Sequence, residues 1–200
     1  MEHVTTFTRD YEKRGTMSRD EVHREGEWHE TFQCWVTFDD EEDRYVVLQR
    51  RSSVKRDFPA LYDITAAGHL TAGEQAADGV REMEEEIGLQ VTMADLRPLG
   101  RLQDEIEIGA FLDREHCHVF QLHTDRDVVN RLQFRDGEAD GACSVKLEEF
   151  QELIAGVRSA CSGISDTGRR LVLAKEDLVP HSSQYWEQVM PALKEVNEEE

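Results

Sequence analysis

Three carboxylates on one face of a short helical stretch constrain this chain more than any other feature. Residues 68–89 read Gly-His-Leu-Thr-Ala-Gly-Glu-Gln-Ala-Ala-Asp-Gly-Val-Arg-Glu-Met-Glu-Glu-Glu-Ile-Gly-Leu. In a helix, Glu82, Glu85 and Glu86 stand at i, i+3 and i+4 and share one face. Like charges at that spacing repel, so helix stability gains nothing from them. Val80, Met83 and Ile87 form a separate apolar stripe that needs a surface to pack on. Gly79 lowers helix propensity but allows close approach to a sheet, and Gly88 is a helix stop. Taken alone, a Glu-rich helical face is ordinarily a solvated one. A hard divalent cation is the other resolution. Such ions take several carboxylate oxygens, and Mg²⁺ is usually shared with substrate phosphates.

The flanking residues favour the cation. Gly68, Glu74, Arg81, Glu82, Met83, Glu85, Glu86, Gly88 and Leu89 match the pattern G-x5-E-x7-R-E-U-x-E-E-x-G-U, where U is a bulky aliphatic. The stretch resembles the box of the Nudix hydrolase superfamily. It departs from that box at one point: six residues rather than seven separate Glu74 from Arg81. The change bears on the role of Glu74 and leaves residues 81–89 intact. The resemblance implies an α/β fold, a Nudix-type α/β/α sandwich with a mixed sheet and the box on a loop and helix. It also implies that Glu82, Glu85 and Glu86, helped by the backbone carbonyl of Ala67 or Gly68, hold Mg²⁺ or Mn²⁺. The implied reaction is hydrolysis of a diphosphate linkage in a nucleoside diphosphate derivative or a related organic diphosphate. In this superfamily the general base often lies outside the box, on a later loop. Glu138 resembles that acidic position, with Glu105 and Glu107 as alternatives.

Residues 19–29, 48–52 and 66–70 resemble one branch of the superfamily, the type 1 isopentenyl-diphosphate isomerases and their hydrolase relatives. In the isomerases two histidines near the N-terminus, the histidine beside the box glycine and two box glutamates bind a metal. His23, His29 and His69 match those histidines, the first two one residue closer together than in the isomerases. His29 also suits a capping or hydrogen-bonded role, and His69 a phosphate contact or a structural bond in the loop. A basic pair resembling Arg51 and Lys55 grips the diphosphate in that branch. With Arg50 and Arg56 they form the one dense basic cluster of an acidic chain. The isomerases also need a cysteine just before the Gly-His pair. Ala67 stands there, and Cys34 is the only upstream thiol. Carbon protonation then has no obvious agent, and a hydrolase is the expectation. An isomerase-like enzyme and a non-catalytic nucleotide-binding module are the alternatives.

The bulk properties agree. Two hundred residues suit a single domain, 1–200, with a core at about 20–158 and a helical extension at about 159–200. The formal charge of −20 opposes nucleic-acid binding, which needs a basic footprint. It also opposes an anionic substrate unless cations offset it locally, so the expected partner is a small-molecule diphosphate. There is no apolar run long enough for a membrane span. Four scattered cysteines without a C-x-x-C pair read as reduced thiols of a cytoplasmic protein. A homodimer is a family-level expectation.

Apolar alternation predicts strands over 31–38, 45–49 and 63–67, then 89–92, 98–107, 116–123 and 143–147. Helices are expected at 76–87, 148–157 and 183–196, the last capped by Ser182 or Ser183 and interrupted by Pro191. Residues 171–175 read as part of another helix, and 1–28 as a short strand and a loop. His116 and His118 share a strand face and read as ordinary half-buried residues or as flanks of the site. The three tryptophans read as core or edge residues.

Overall fold

The alternating stretch at 31–38 lies inside a thirteen-residue strand that organises the sheet. The computed structural model describes residues 2–109, 111–135 and 137–195. Its elements begin β1 (His3–Phe7), β2 (Lys13–Ser18), α1 (Arg19–Glu25), β3 (Trp28–Asp40), β4 (Asp43–Arg51), β5 (Tyr62–Asp63), β6 (Ala66–His69) and α2 (Arg81–Ile87). They continue β7 (Arg97–Ile108), β8 (Phe111–Thr124), α3 (Val128–Arg131), β9 (Ala139–Lys146), α4 (Leu147–Ile154), β10 (Ala160–Ser165), β11 (Arg170–Ala174) and α5 (Ser183–Lys194). Among the described residues the strands form one sheet, ordered β11-β10-β9-β4-β3-β1-β2. Off that path β5 pairs with β4, β6 and β8 pair with β3, and β7 pairs with β8.

One edge of β3 pairs in parallel with β8, from His29↔Glu115 to Phe38↔Thr124. The other edge serves three antiparallel partners in turn. These are β1 at Trp28 and His29, β6 from Thr31 to Cys34, and β4 from Val36 to Asp40. The sheet is therefore mixed. Where β6 enters, β3 and β4 part. The fully buried Thr65 closes that split: its hydroxyl accepts from the Val36 N–H at 2.9 Å and donates to the Val47 carbonyl.

Period-two alternation sends β3 side chains to opposite faces. Phe32, Cys34, Val36 and Phe38 pack in one apolar cluster with Met83 and Ile87 of α2. Trp35 packs in the other, with Phe150 and Leu153 of α4 and Tyr185, Trp186 and Val189 of α5. Helices thus cover both faces, giving the α/β/α sandwich. All three tryptophans are buried.

Several expectations need correction. Residues 1–28 hold the β1–β2 hairpin and α1, which has a full capping box between Ser18 and Glu21 and an αL stop at Gly26. The box helix starts at Arg81, after a 3₁₀ turn at Asp78–Val80, and not at residue 76. Residues 89–92 form no strand. Residues 171–175 lie not in a helix but largely in β11, whose hairpin with β10 extends the sheet through β9. The C-terminal extension is therefore a hairpin followed by a helix. The apolar run inside β11, Leu171 to Ala174, is too short for periodicity to separate strand from helix.

α5 is anchored by its Tyr185 hydroxyl, which accepts from the Trp35 indole N–H at 3.0 Å and donates to Gln33 Oε1 at 2.7 Å. Tyr185→Phe would leave both partners unpaired in a buried site. We expect a loss of about 1–3 kcal/mol, read as a lower urea midpoint with an unchanged m-value.

Candidate active site

The box is built by β6 and the turn that follows it. The Ala67 N–H donates to Glu86 Oε2 at 2.9 Å, and Gln49 Nε2 donates to the same oxygen at 2.9 Å. Gly68 lies against the Glu82 carboxylate: a Cβ added there would sit 2.1 Å from Glu82 Cδ. Only glycine allows that approach. At Gly79 a Cβ would sit 2.4 Å from Phe32 Cβ, so glycine also sets how closely the turn before α2 packs on the sheet. Gly88 ends α2 at φ 71.

Arg81 ties the box together. Its Nε donates to Glu74 Oε1 at 3.1 Å and its Nη2 to the His69 carbonyl at 3.1 Å. Its Nη1 bonds Glu82 and, at 2.9 Å, Glu85 Oε2. Glu74 also accepts from the Thr71 N–H at 2.7 Å. Glu74 therefore contacts Arg81 across the six-residue spacing, which contains the 3₁₀ turn at Asp78–Val80.

Glu82 and Glu86 are buried, whereas Glu85 is exposed. Burial raises the Glu86 carboxyl to about 8 despite the Ala67 hydrogen bond. Burial also raises Glu82, to about 7, against the charge of Arg81. A pair of buried carboxylates that resist ionising alone fits a divalent cation, which supplies the missing charge.

A second set of candidate ligands adjoins the box through His69. Ligand atoms of His23, His29 and His69 lie within 4.8 Å of one another, as do those of His29, Asp113 and Glu115. The Nε2 atoms of His69 and His23 are 3.4 Å apart. Asp113 Oδ1 lies 3.4 Å from His23 Nε2 and 3.6 Å from His29 Nε2. His29 Nδ1–H donates to the Glu27 carbonyl at 3.1 Å, which leaves Nε2 as the lone-pair nitrogen. His29 Nε2 and Asp113 Oδ1 are buried without a hydrogen-bond partner among the described residues. Burial lowers His29 to about 4 and His69 well below the ordinary histidine value, so both rings stay neutral. Two neutral imidazoles, one of them with its second nitrogen fixed by a backbone carbonyl, beside the Asp113 carboxylate fit a borderline divalent metal. The acidic groups that reach these histidines are Asp113 and Glu115 of β8, not the box glutamates expected from the isomerases.

Of these groups His69, Asp113 and Glu115 line a cavity of about 470 Å³. Arg51, Lys55, His69, Ala67, Gly68 and Glu138 all line it with Glu82, Glu85 and Glu86. Glu138 pairs with Lys55, and burial lowers the Lys55 ammonium below the usual lysine range. Glu105 and Glu107 do not line the cavity, and Glu105 pairs with Arg114 at 2.7 Å. His116 bonds the Thr8 carbonyl and His118 bonds Glu30, away from the cavity.

Sequence reasoning missed Asp63, Asp104 and His181, which also line the cavity. His181 Nδ1 is 2.6 Å from Asp104 Oδ2, and its Nε2 is 2.9 Å from Asp63 Oδ1. Burial alone would lower this ring's pKa; the two aspartates override it and raise the ring to about 10. Asp113 and Glu115 had a weak signal, two acidic residues on one strand face. The stretch 178–187 reads from sequence as a packed C-terminal helix, with a cover over the site or a dimer interface as alternatives, but nothing in it singles out His181.

Comparison with known proteins agrees with this geometry. A model of the NUDIX domain matches residues 27–161. Over 187 residues, 90% of each chain, the protein is 33% identical to an uncharacterised Nudix hydrolase of Clostridium acetobutylicum. Over 111 residues it is 37% identical to an isopentenyl-diphosphate Delta-isomerase of Mycolicibacterium vanbaalenii, covering 50% of this chain and 58% of the other. Two solved structures share the fold. A Deinococcus radiodurans protein gives a TM-score of 0.55 at 19% identity over 78% of this chain and 90% of its own. A Nudix hydrolase from M. smegmatis, RenU, gives 0.54 at 11% identity over 98% of both. The chain belongs to the Nudix hydrolase family.

The raised carboxyls have a measurable consequence. A folded-state pKa above the ordinary carboxylate value means that the native state holds extra protons. Without cation, stability contributed by Glu82 and Glu86 is therefore present at low pH and lost as pH rises toward about 8. Cation binding needs the ionised forms, so it releases protons near neutrality. Calorimetric Mg²⁺ or Mn²⁺ titrations at pH 7 in buffers of different ionisation heat should show net proton release. The release should vanish about two units higher. Buffer-independent heats at pH 7 would show that both carboxyls are already ionised there.

Proposed function

We propose that the protein is a divalent-metal-dependent hydrolase of a diphosphate linkage, acting on a nucleoside diphosphate derivative or a related organic diphosphate. The observation that carries this reading is one cavity lined by Glu82, Glu85 and Glu86 together with the cations Arg51 and Lys55. In a chain of formal charge −20, such a cavity suits an anion only with metal and local cations present.

Bound Mg²⁺ or Mn²⁺ would neutralise phosphate charge, polarise phosphorus and acidify an attacking water. Glu82, Glu85 and Glu86 would hold it, with the backbone at Ala67 and Gly68 keeping two of the carboxylates in position. Arg51 and Lys55 would bind the non-bridging oxygens and orient the linkage. Arg81 would orient the glutamates without touching substrate. Glu138, beside Lys55 on the cavity wall, is the candidate base for the proton of the attacking water. His69, turned toward His23 and His29, would serve the neighbouring metal centre in preference to a phosphate.

The isomerase alternative lacks a thiol at the cavity. Ala67 lines it where that chemistry needs cysteine. Cys34 is fully buried in the cluster under α2, and burial pushes its thiol up to about 12. Cys117 is also fully buried, donating to Glu115. The four free, buried cysteines support a reducing, cytoplasmic setting.

The test is turnover of a broad diphosphate panel with Mg²⁺ or Mn²⁺, read as phosphate release, with Glu85→Gln alongside. Exposed Glu85 can be changed without disturbing the core. A loss of at least about 10²-fold with the fold retained is expected. Wild-type-like turnover in the variant would sink the metal role. Isotope exchange from solvent into carbon of an unhydrolysed prenyl diphosphate would favour the isomerase.

A further inference from the structure

The segment before α5 carries no part of the box, yet it enters the cavity. Leu178 bridges to Tyr62, and the Val179 N–H donates to the Tyr62 carbonyl at 2.9 Å. Two residues on, the His181 side chain is 7% exposed, and both ring nitrogens face carboxylates that line the cavity. Ionised carboxylates only accept hydrogen bonds. Both ring nitrogens therefore carry hydrogens, and the ring is an imidazolium with no lone pair to offer. It has neither a free proton to give to substrate nor a nitrogen for a metal.

Its partners lead elsewhere. Asp104 Oδ1 accepts from the N–H groups of Ser182 at 2.8 Å and Glu105 at 3.0 Å, so this carboxylate is fixed by backbone. Asp63 is shared: Oδ1 meets His181, and Oδ2 accepts from Arg51 Nη1 at 2.9 Å. Arg51 also donates from Nε at 3.3 Å and Nη2 at 3.0 Å to the Asp57 carbonyl. Three of the five guanidinium hydrogens are thus engaged, and two remain for a ligand. The order Arg51, Asp63, His181, Asp104 alternates in charge. Without His181, Asp63 would pair with Arg51 alone and cancel its charge. Asp104 would then stand in the cavity wall uncompensated.

We propose that His181 is a positioning residue for diphosphate binding: through Asp63 it holds the Arg51 guanidinium in place and leaves its charge available to phosphate. The inference rests on reading the cavity as a diphosphate site. It gives the segment preceding α5 a role in substrate affinity and not in bond cleavage.

The test is a double-variant cycle of His181→Gln and Arg51→Ala, read as affinity for inorganic pyrophosphate in Mg²⁺ by calorimetry. His181→Gln should weaken binding by about tenfold or more, the scale of hydrogen bonds to charged groups. The double variant should bind no more weakly than Arg51→Ala, because both changes remove one linked unit. Independent, additive losses, or unchanged affinity in His181→Gln, would overturn the relay. Asp104→Asn, which keeps side-chain shape and loosens the grip on His181, carries the same expectation should His181→Gln fail to fold. The free protein gives a second reading: the ¹⁵N NMR signal of Arg51 Nε–H should shift or broaden in His181→Gln, and an unchanged signal refutes the linkage. Absence of pyrophosphate binding in the wild type, with Mg²⁺ bound, would instead overturn the diphosphate reading and the role assigned to His181 with it.

Discussion

Two glutamates buried against the backbone of β6 are the constraint around which the rest of the molecule is arranged. Burying a carboxylate is costly unless hydrogen bonds or charge compensate it. Glu86 takes two N–H donors on one oxygen, from Ala67 and Gln49. Glu82 takes Arg81 and lies where Gly68 has no side chain. These contacts fix position but do not neutralise, since burial still holds both carboxyls far above their ordinary range. The fold thereby stores a demand for positive charge at one place, and a divalent cation would answer it with less chain entropy than additional lysines.

That demand sets the geometry of everything nearby. β6 is four residues long, and three of them have separate tasks. Ala67 holds Glu86 and Gly68 makes room for Glu82, while the His69 ring turns to His23 and His29 and its carbonyl anchors Arg81. The box and the histidine cluster are therefore one mechanical unit, and the strand can play this part because β3 offers it an edge between β1 and β4. Thr65, bridging the parted strands, keeps that edge open.

How much of this was legible follows from how local each feature is. Glu82, Glu85 and Glu86 lie within one and a half helical turns, so spacing alone groups them. The two faces of β3 were legible for the same reason, through its alternation. The capping box of α1, Ser18 with Glu21 before Gly26, is equally local. Asp113 and Glu115 reach His29 only through the parallel register of β3 and β8, which pairs residues 29 and 115. No local pattern specifies a parallel register across such a separation. His181 depends on three elements meeting: the segment before α5, the β4–β6 region and β7. Its chemistry exists only in the folded chain.

The acidic composition then becomes intelligible in terms of placement. Of the four residues of the 50–56 basic cluster, Arg51 and Lys55 turn into the cavity, each facing a carboxylate, Asp63 and Glu138. A cation bound so closely to an acid would have little attraction left for phosphate. In the Arg51 pair the imbalance is corrected by a second cation on the same acid, His181, brought by a segment that the box does not encode. Lys55 pairs with Glu138, and its ammonium is destabilised by burial. The two cations are thus unequal by construction. Arg51 is a fixed, always charged fork suited to orienting a diphosphate. Lys55 is a compact point charge on a flexible stem, and burial weakens its hold on its proton.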